Sequence, residues 1–238
     1  MIPKIIHQIW FSPDGKYPKK YDFCQESWSK LNPKYQYILW DEKKSHQFIE
    51  TEFNDFLQTY NQVTDVMVKT DLLRILIGYH YGGTYADLDV ECLRPIDEWV
   101  LDTEKINIPL EPKIHNPFML GCAIFCLKEK NNKVLELLKF GLEKFEIKRQ
   151  NEKGYNMEAF GPKNWTQFYK TNPEYYNIID TKLMFPIPDT SLSPKLDELF
   201  RTSMVKKDFG EAYCVHYWDH LHWPRPSILD KYYKELKP

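Results

Sequence analysis

Two carboxylates one residue apart, Asp87-Leu88-Asp89, stand inside the apolar stretch Thr84-Tyr85-Ala86-Asp87-Leu88-Asp89-Val90 of this 238-residue chain. On an extended backbone Asp87 and Asp89 project to one face, while Ala86, Leu88 and Val90 pack on the other. Both carboxylates then reach a single cation, or a ribose and a cation together. Oxygen donors of this kind suit Mg²⁺ or Mn²⁺, and such a cation bridging phosphate oxygens neutralises charge as a diphosphate leaves. A bare pair of acids is more often a solvated turn, so the neighbouring residues carry weight. Gly82-Gly83 permits a sharp backbone path just before the acids, and Tyr85 supplies a ring and a hydroxyl beside them. Asp71 and Arg74 share one side of an otherwise apolar helical stretch that runs into the same turn. Either they form an i,i+3 surface ion pair worth a few tenths of a kcal/mol, on the order of 0.2–0.5, or Asp71 accepts hydroxyl hydrogen bonds from a hexose while Arg74 orients it or neutralises a phosphate.

The elements that must position these residues follow from periodicity. Lys4 to Trp10 reads as an Ile-rich strand, Tyr21 to Leu31 as a helix ended by Asn32-Pro33, and Tyr35 to Trp40 as a second strand. Asp41 is a cap for a helical stretch leading toward Phe56. Residues 64–79 have helical spacing, with Val66, Leu73 and Ile77, and Leu72 and Leu76, expected on the buried side. Thr84 to Val90 is expected to be one short strand. Further strands are expected at Lys105–Ile108, in the apolar run 119–127, at Ile178-Ile179, at Met184-Phe185 and at Ala212–Tyr217, with an amphipathic helix over Asn132–Arg149. Gly161-Pro162 opens a short helix. Alternating strands and helices early, and an irregular second half, predict an α/β fold: one domain spanning 1–238, without an internal linker or repeat.

Composition narrows the function. Lys and Arg number 32 against 34 acids, a formal charge of -2, which lacks the basic footprint of a nucleic-acid binder. Aromatic residues reach 16%, an excess that suits stacking against bases or sugar faces as well as a core. The five cysteines, Cys24, Cys92, Cys122, Cys126 and Cys214, have neither disulfide-framework nor zinc spacing, so buried thiols in a reducing, cytoplasmic setting are expected. The opening residues lack signal-peptide character, and no window approaches 18 consecutive apolar residues. Asn164-Trp165-Thr166 matches a glycosylation acceptor only by chance on this reading.

The stretch Asp71-Leu72-Leu73-Arg74 … Tyr81-Gly82-Gly83-Thr84-Tyr85-Ala86-Asp87-Leu88-Asp89-Val90 resembles the signature of the DXD-containing glycosyltransferases (family 32 type). These include capsular sugar transferases, initiating α-mannosyltransferases and inositol-phosphoceramide mannosyltransferases. It is more distantly similar to the glucosylating domain of clostridial toxins. Ile5-Ile6-His7-Gln8-Ile9-Trp10 resembles the opening strand of the same family. The resemblance implies a GT-A type, Rossmann-like mixed sheet flanked by helices, and transfer of a hexose with retention from a nucleoside-diphosphate sugar, a UDP-hexose being favoured over GDP-mannose. It further implies Mn²⁺ or Mg²⁺ as cofactor, Trp10 stacked on the nucleotide base, Asp71 and Arg74 on the donor hexose, Asp87 near ribose and sugar with Tyr85 beside it, and Asp89 as direct metal ligand. Val215-His216-Tyr217-Trp218 is the best match for the late segment that closes such sites, which makes His216 a third ligand. His222-Trp223 departs from the Ser-Trp pair of the family and leaves Asp219, His220 and His222 as alternatives. Asn116-Pro117-Phe118 is read as a border of the acceptor pocket or as a bend before a strand.

Two other readings compete. One is an inactive sugar-nucleotide-binding module, which the intact set Asp71, Arg74, Asp87 and Asp89 argues against. The other is a metal-dependent phosphatase using Asp87-Leu88-Asp89-Val90-Glu91, whose motif normally follows the first strand and has Thr or Val where this chain has Glu91. The expected partners are a nucleotide sugar and a hydroxyl acceptor, a glycan or glycolipid. Peripheral membrane contact would run through the vicinity of Arg201, Lys206 and Lys207.

Overall fold

In the computed structural model, which describes residues 1–12, 16–112, 118–151, 157–190, 193–219 and 227–236, the first strand β1 (Ile5–Ile9) lies inside a mixed six-stranded sheet. It pairs in parallel with β2 (Gln36–Trp40) on one side and β3 (Gly83–Ala86) on the other. Beyond β3 the direction reverses: β6 (Ile124–Leu127) is antiparallel to both β3 and β5 (Ile106–Pro109), and β7 (Tyr176–Ile179) runs parallel to β5. The order is β2-β1-β3-β6-β5-β7, and a separate antiparallel ribbon joins β4 (Val90–Cys92) to β8 (Cys214–His216). This is the mixed, Rossmann-like α/β sheet flanked by helices that the sequence implies.

Side-chain alternation across the sheet divides the apolar core in two. Tyr85, Phe125 and Leu127 join the side packed by α2 (Glu42–Glu52), α3 (Asn54–Gln62), α4 (Val66–Tyr81), α5 (Asn132–Asn151) and α7 (Pro162–Thr171). Ala86, Ile124 and Cys126 join the opposite side, with α1 (Asp22–Leu31), the β4–β8 ribbon and Met204 of α9 (Pro194–Lys206). All five cysteines are buried free thiols. Among the described residues no helix is long and apolar enough to cross a membrane.

Several local expectations change. Thr84–Val90 is not one strand. The chain leaves the large sheet after Ala86, turns with Val90 N–H donating to Asp87 O at 3.1 Å, and enters the ribbon as β4. Of the run 119–127 only Ile124–Leu127 is strand; Leu120 keeps an isolated bridge to Leu110. Met184 ends a four-residue helix, α8 (Thr181–Met184), capped by Asp180, whose carboxylate accepts from Lys182 N–H at 2.9 Å. The stretch toward Phe56 is two helices, broken at Phe53. Val66, expected inside, is 46% exposed. Meanwhile α4 is buried all round from Asp71 to Gly78, because it is covered both by the sheet and by α5 and α6 (Met157–Phe160). Asn164 is fully buried in α7 and so inaccessible to a glycosylating enzyme in the folded chain. Asn116 and Pro117 lie outside the described residues.

Candidate metal centre and its pocket

The acids sit where β3 ends, and the backbone before them explains how they arrive. Gly82 and Gly83 have φ of 62° and 85°. A Cβ on Gly82 would come within 2.4 Å of Glu129 N, and one on Gly83 within 2.6 Å of Ile5 O. Only glycine lets β3 pass this closely between β1 and the chain after β6. Two residues not assigned any role from sequence then fix the turn. His7 hydrogen-bonds through Nε2 to Gly82 O (3.1 Å) and accepts from Trp40 Nε1 (3.1 Å). Gln8 donates from Nε2 to Asp87 O (3.0 Å) and accepts from the Tyr37 hydroxyl (2.6 Å). Both stand in the opening strand, and their polarity within an Ile-rich segment is the signal that could have found them.

Asp87 and Asp89 leave this turn as loop residues, yet they still converge. One donor atom from each of Asp87, Asp89 and His216 can be chosen so that all three lie within 4.8 Å of one another. His216 reaches the acids because β8 pairs with β4, setting Val90 opposite His216. Its Nε2 is 3.1 Å from Asp89 Oδ2, and the Asp219 amide donates to that same oxygen at 2.7 Å. His216 Nδ1 is buried and finds no partner among the described residues. The imidazole is thus held on the side facing the carboxylates, with Nδ1 left to carry a proton if Nε2 ligates a cation. Two oxygens and one nitrogen fit Mn²⁺ or Mg²⁺ chemistry.

The rest of the predicted set lies beside this cluster. Arg74 NH2 is 3.0 Å from Asp71 Oδ1, and its NH1 lies 3.4 Å from Asp87 Oδ1 and donates to Cys122 O at 2.9 Å. The guanidinium sits over the Tyr85 ring, 4.9 Å from its centroid, and the Tyr85 hydroxyl donates to Asp87 Oδ1 at 2.5 Å. Asp71 and Arg74 are therefore a buried pair, not a solvated surface bridge. Burial separates the carboxyls electrostatically. It pushes Asp71 up to about 6 against the opposing pull of Arg74, and it raises Asp87. Burial also acts to raise Asp89, but His216 and the Asp219 amide outweigh it and hold Asp89 below its ordinary value. Asp89 is the firmly ionised member. For His216 the burial penalty is outweighed by Asp89, so its imidazolium is favoured.

Trp10, Tyr21, Val66, Met67, Thr70, Arg74, Tyr85, Asp87, Asp89 and Asp219 are among the residues that line one pocket of about 260 Å³, which His216 does not line. The Trp10 ring centroid lies 5.3 Å from that of Tyr21. Asp71 lies behind Arg74 and does not line the pocket. His220 and His222 fall outside the described residues. Lys207, expected on a membrane-facing patch, turns inward and pairs with buried Glu91 at 2.8 Å.

Part of the chain is similar in sequence to glycosyltransferases that carry a DXD motif. Residues 18–105 match the family described as glycosyltransferase sugar-binding region containing DXD motif. The chain is 41% identical over 96 residues to inositol phosphoceramide mannosyltransferase 3 of Schizosaccharomyces pombe, which covers 40% of this chain and 26% of that protein. It is 26% identical to an initiation-specific alpha-1,6-mannosyltransferase of Candida albicans, over 83% of this chain and 66% of that one. The chain spans about a quarter to a third of the length of the first curated relatives it matches. Among solved structures, the PaToxG glycosyltransferase has the same fold, with a TM-score of 0.56 at 18% identity over 87% of this chain and 78% of that chain.

Proposed function

We propose that this chain transfers a hexose from a nucleoside-diphosphate sugar to a hydroxyl acceptor, a glycan or glycolipid, in a divalent-cation-dependent reaction with retention at the anomeric carbon. The observation that carries the reading is the convergence of Asp87, Asp89 and His216, with Asp87 and Asp89 lining a pocket they share with Arg74 and Trp10. Asp87, Asp89 and His216 would hold Mn²⁺ or Mg²⁺, which when bound supplies charge neutralisation for a departing diphosphate. Arg74 is locked by Asp71, Asp87 and Cys122 O before any ligand arrives, so its positive charge needs little reorganisation when negative charge develops. In this arrangement Asp71 acts through Arg74. Trp10 offers a face for a base. A UDP-hexose is the donor read from the sequence; the mannosyltransferases among the relatives support a mannosyl donor as the second reading. We assign the 1–238 chain to one catalytic domain.

Incubating the protein with UDP- and GDP-sugars plus Mn²⁺ and weighing the products identifies the donor even without an acceptor. The expected result is cation-dependent release of one sugar, lost in Asp89→Asn together with metal-dependent donor binding. Undiminished turnover in that variant at saturating Mn²⁺ removes the assignment of Asp89. Cleavage of simple phosphate esters without use of any sugar nucleotide favours a phosphatase instead.

A further inference from the structure

Lys20 and Tyr21 belong to a single turn of 3-10 helix, Lys19–Tyr21, ahead of α1. Their side chains meet the far end of the chain. Lys20 Nζ is 2.6 Å from Asp219 Oδ2 and 2.7 Å from Asp230 Oδ1, and the Tyr21 hydroxyl donates to Asp219 Oδ2 at 2.5 Å. The side chain of Asp219 is only 2% exposed. Asp230, in the first turn of α10 (Ile228–Leu236), is itself fixed by Ser227, whose amide and hydroxyl both donate to Asp230 Oδ2 at 3.1 Å.

A carboxylate this buried depends on its donors, because an ionised oxygen without partners is costly away from water. With Oδ2 taken by Lys20 and Tyr21, Asp219 meets the acidic cluster through its backbone. Its amide donates to Asp89 Oδ2, and the amide two residues earlier, Tyr217 N–H, donates to Asp89 O at 3.0 Å. One ammonium therefore anchors the segment that holds Asp89, and it ties α10 to the same point.

We propose that Lys20 is a positioning residue of the cation centre: by anchoring Asp219 and Asp230 it fixes the Asp219 amide and, through that amide, the orientation of Asp89 toward Asp87 and His216. This rests on the reading that Asp87, Asp89 and His216 hold a divalent cation. Groups that orient metal ligands typically change affinity by about 10- to 100-fold when removed.

The test titrates Mn²⁺ into the full chain by electron paramagnetic resonance and follows hydrogen exchange of the Asp219 amide without metal, comparing Lys20→Met, Lys20→Arg and the unaltered protein. Lys20→Met should bind Mn²⁺ about tenfold or more weakly and exchange the Asp219 amide faster, while Lys20→Arg, which keeps the charge, should restore both. Lys20→Gln replaces the Met variant if that one does not fold. Unchanged affinity in the uncharged variant overturns the proposal. Failure of the unaltered protein to take up Mn²⁺ overturns the cation reading, and with it the role toward a cation. The exchange arm then stands on its own, and unchanged exchange of the Asp219 amide overturns the anchoring role as well.

Discussion

His7 touches neither the pocket nor the acids, yet both of its ring nitrogens are committed. Nδ1 accepts from Trp40, so Nε2 carries the proton that goes to Gly82 O. Burial lowers its pKa to about 4, the Gly82 carbonyl opposing the shift only partly. The folded chain therefore takes up this proton less readily than the unfolded chain. The stability associated with neutral His7 is complete above pH 6.5, falls as the pH drops, and is lost once the pH has passed below about 4. The difference corresponds to about 3 kcal/mol. Urea unfolding between pH 7 and pH 4 should show a shallower loss of stability in His7→Gln than in the unaltered chain. Equal slopes would show that His7 is not the group responsible. From sequence, His7 was only a member of an Ile-rich strand, because its partners, Trp40 and Gly82, come together through tertiary packing. Asp71, Arg74, Asp87 and Asp89 were legible because chemistry-bearing residues stood close together in an apolar stretch. His216 was legible only through resemblance, since its partner strand β4 lies far away in the chain.

At the scale of elements, α1 and α5 follow their sequence patterns because each has one face against the core and one toward solvent, while β1, covered on both faces, shows as a short Ile-rich run. The β3–β4 break did not show. Every residue of Gly83–Ala86 and Val90–Cys92 is buried, and Asp87 and Asp89 alternate with buried Leu88 between them, so the passage from one sheet to the other reads as the alternation of a single strand. The short helix α8 was missed although Asp180 followed by Thr181 and Lys182 is a cap signal, because Met184-Phe185 reads as an apolar pair. The turn at Gly82 gives a test of the close approach. Gly82→Ala places a methyl 2.4 Å from a backbone nitrogen at a φ of 62°, and is expected to destabilise the fold by roughly 2–4 kcal/mol, a backbone-strain cost added to overpacking. A denaturant midpoint within error of the parent would mean that β3 and the chain after β6 can separate without loss.

For the molecule as a whole, the cluster joins two sheets: the acids follow β3 of the large sheet, and His216 comes from β8 of the ribbon. A cation bound by all three stabilises the packing of one sheet on the other and binds the folded chain in preference to the unfolded one. At a Mn²⁺ concentration 100 times its Kd the gain is about 2.7 kcal/mol, a rise in Tm of roughly 5–11 °C for a chain of this size. Calorimetry should record that rise in the unaltered protein and little of it in Asp89→Asn; equal rises in both would mean that Mn²⁺ acts elsewhere.

The β4–β8 ribbon also sets an order of events during synthesis. A nascent chain exposes Asp87 and Asp89 well before His216 has been translated, so the early part leaves the ribosome with two acids and no third ligand. Strand β4 must wait for β8 before its ladder exists. The ribbon, and with it any cation site that uses His216, therefore cannot form before residues 214–216 have been made.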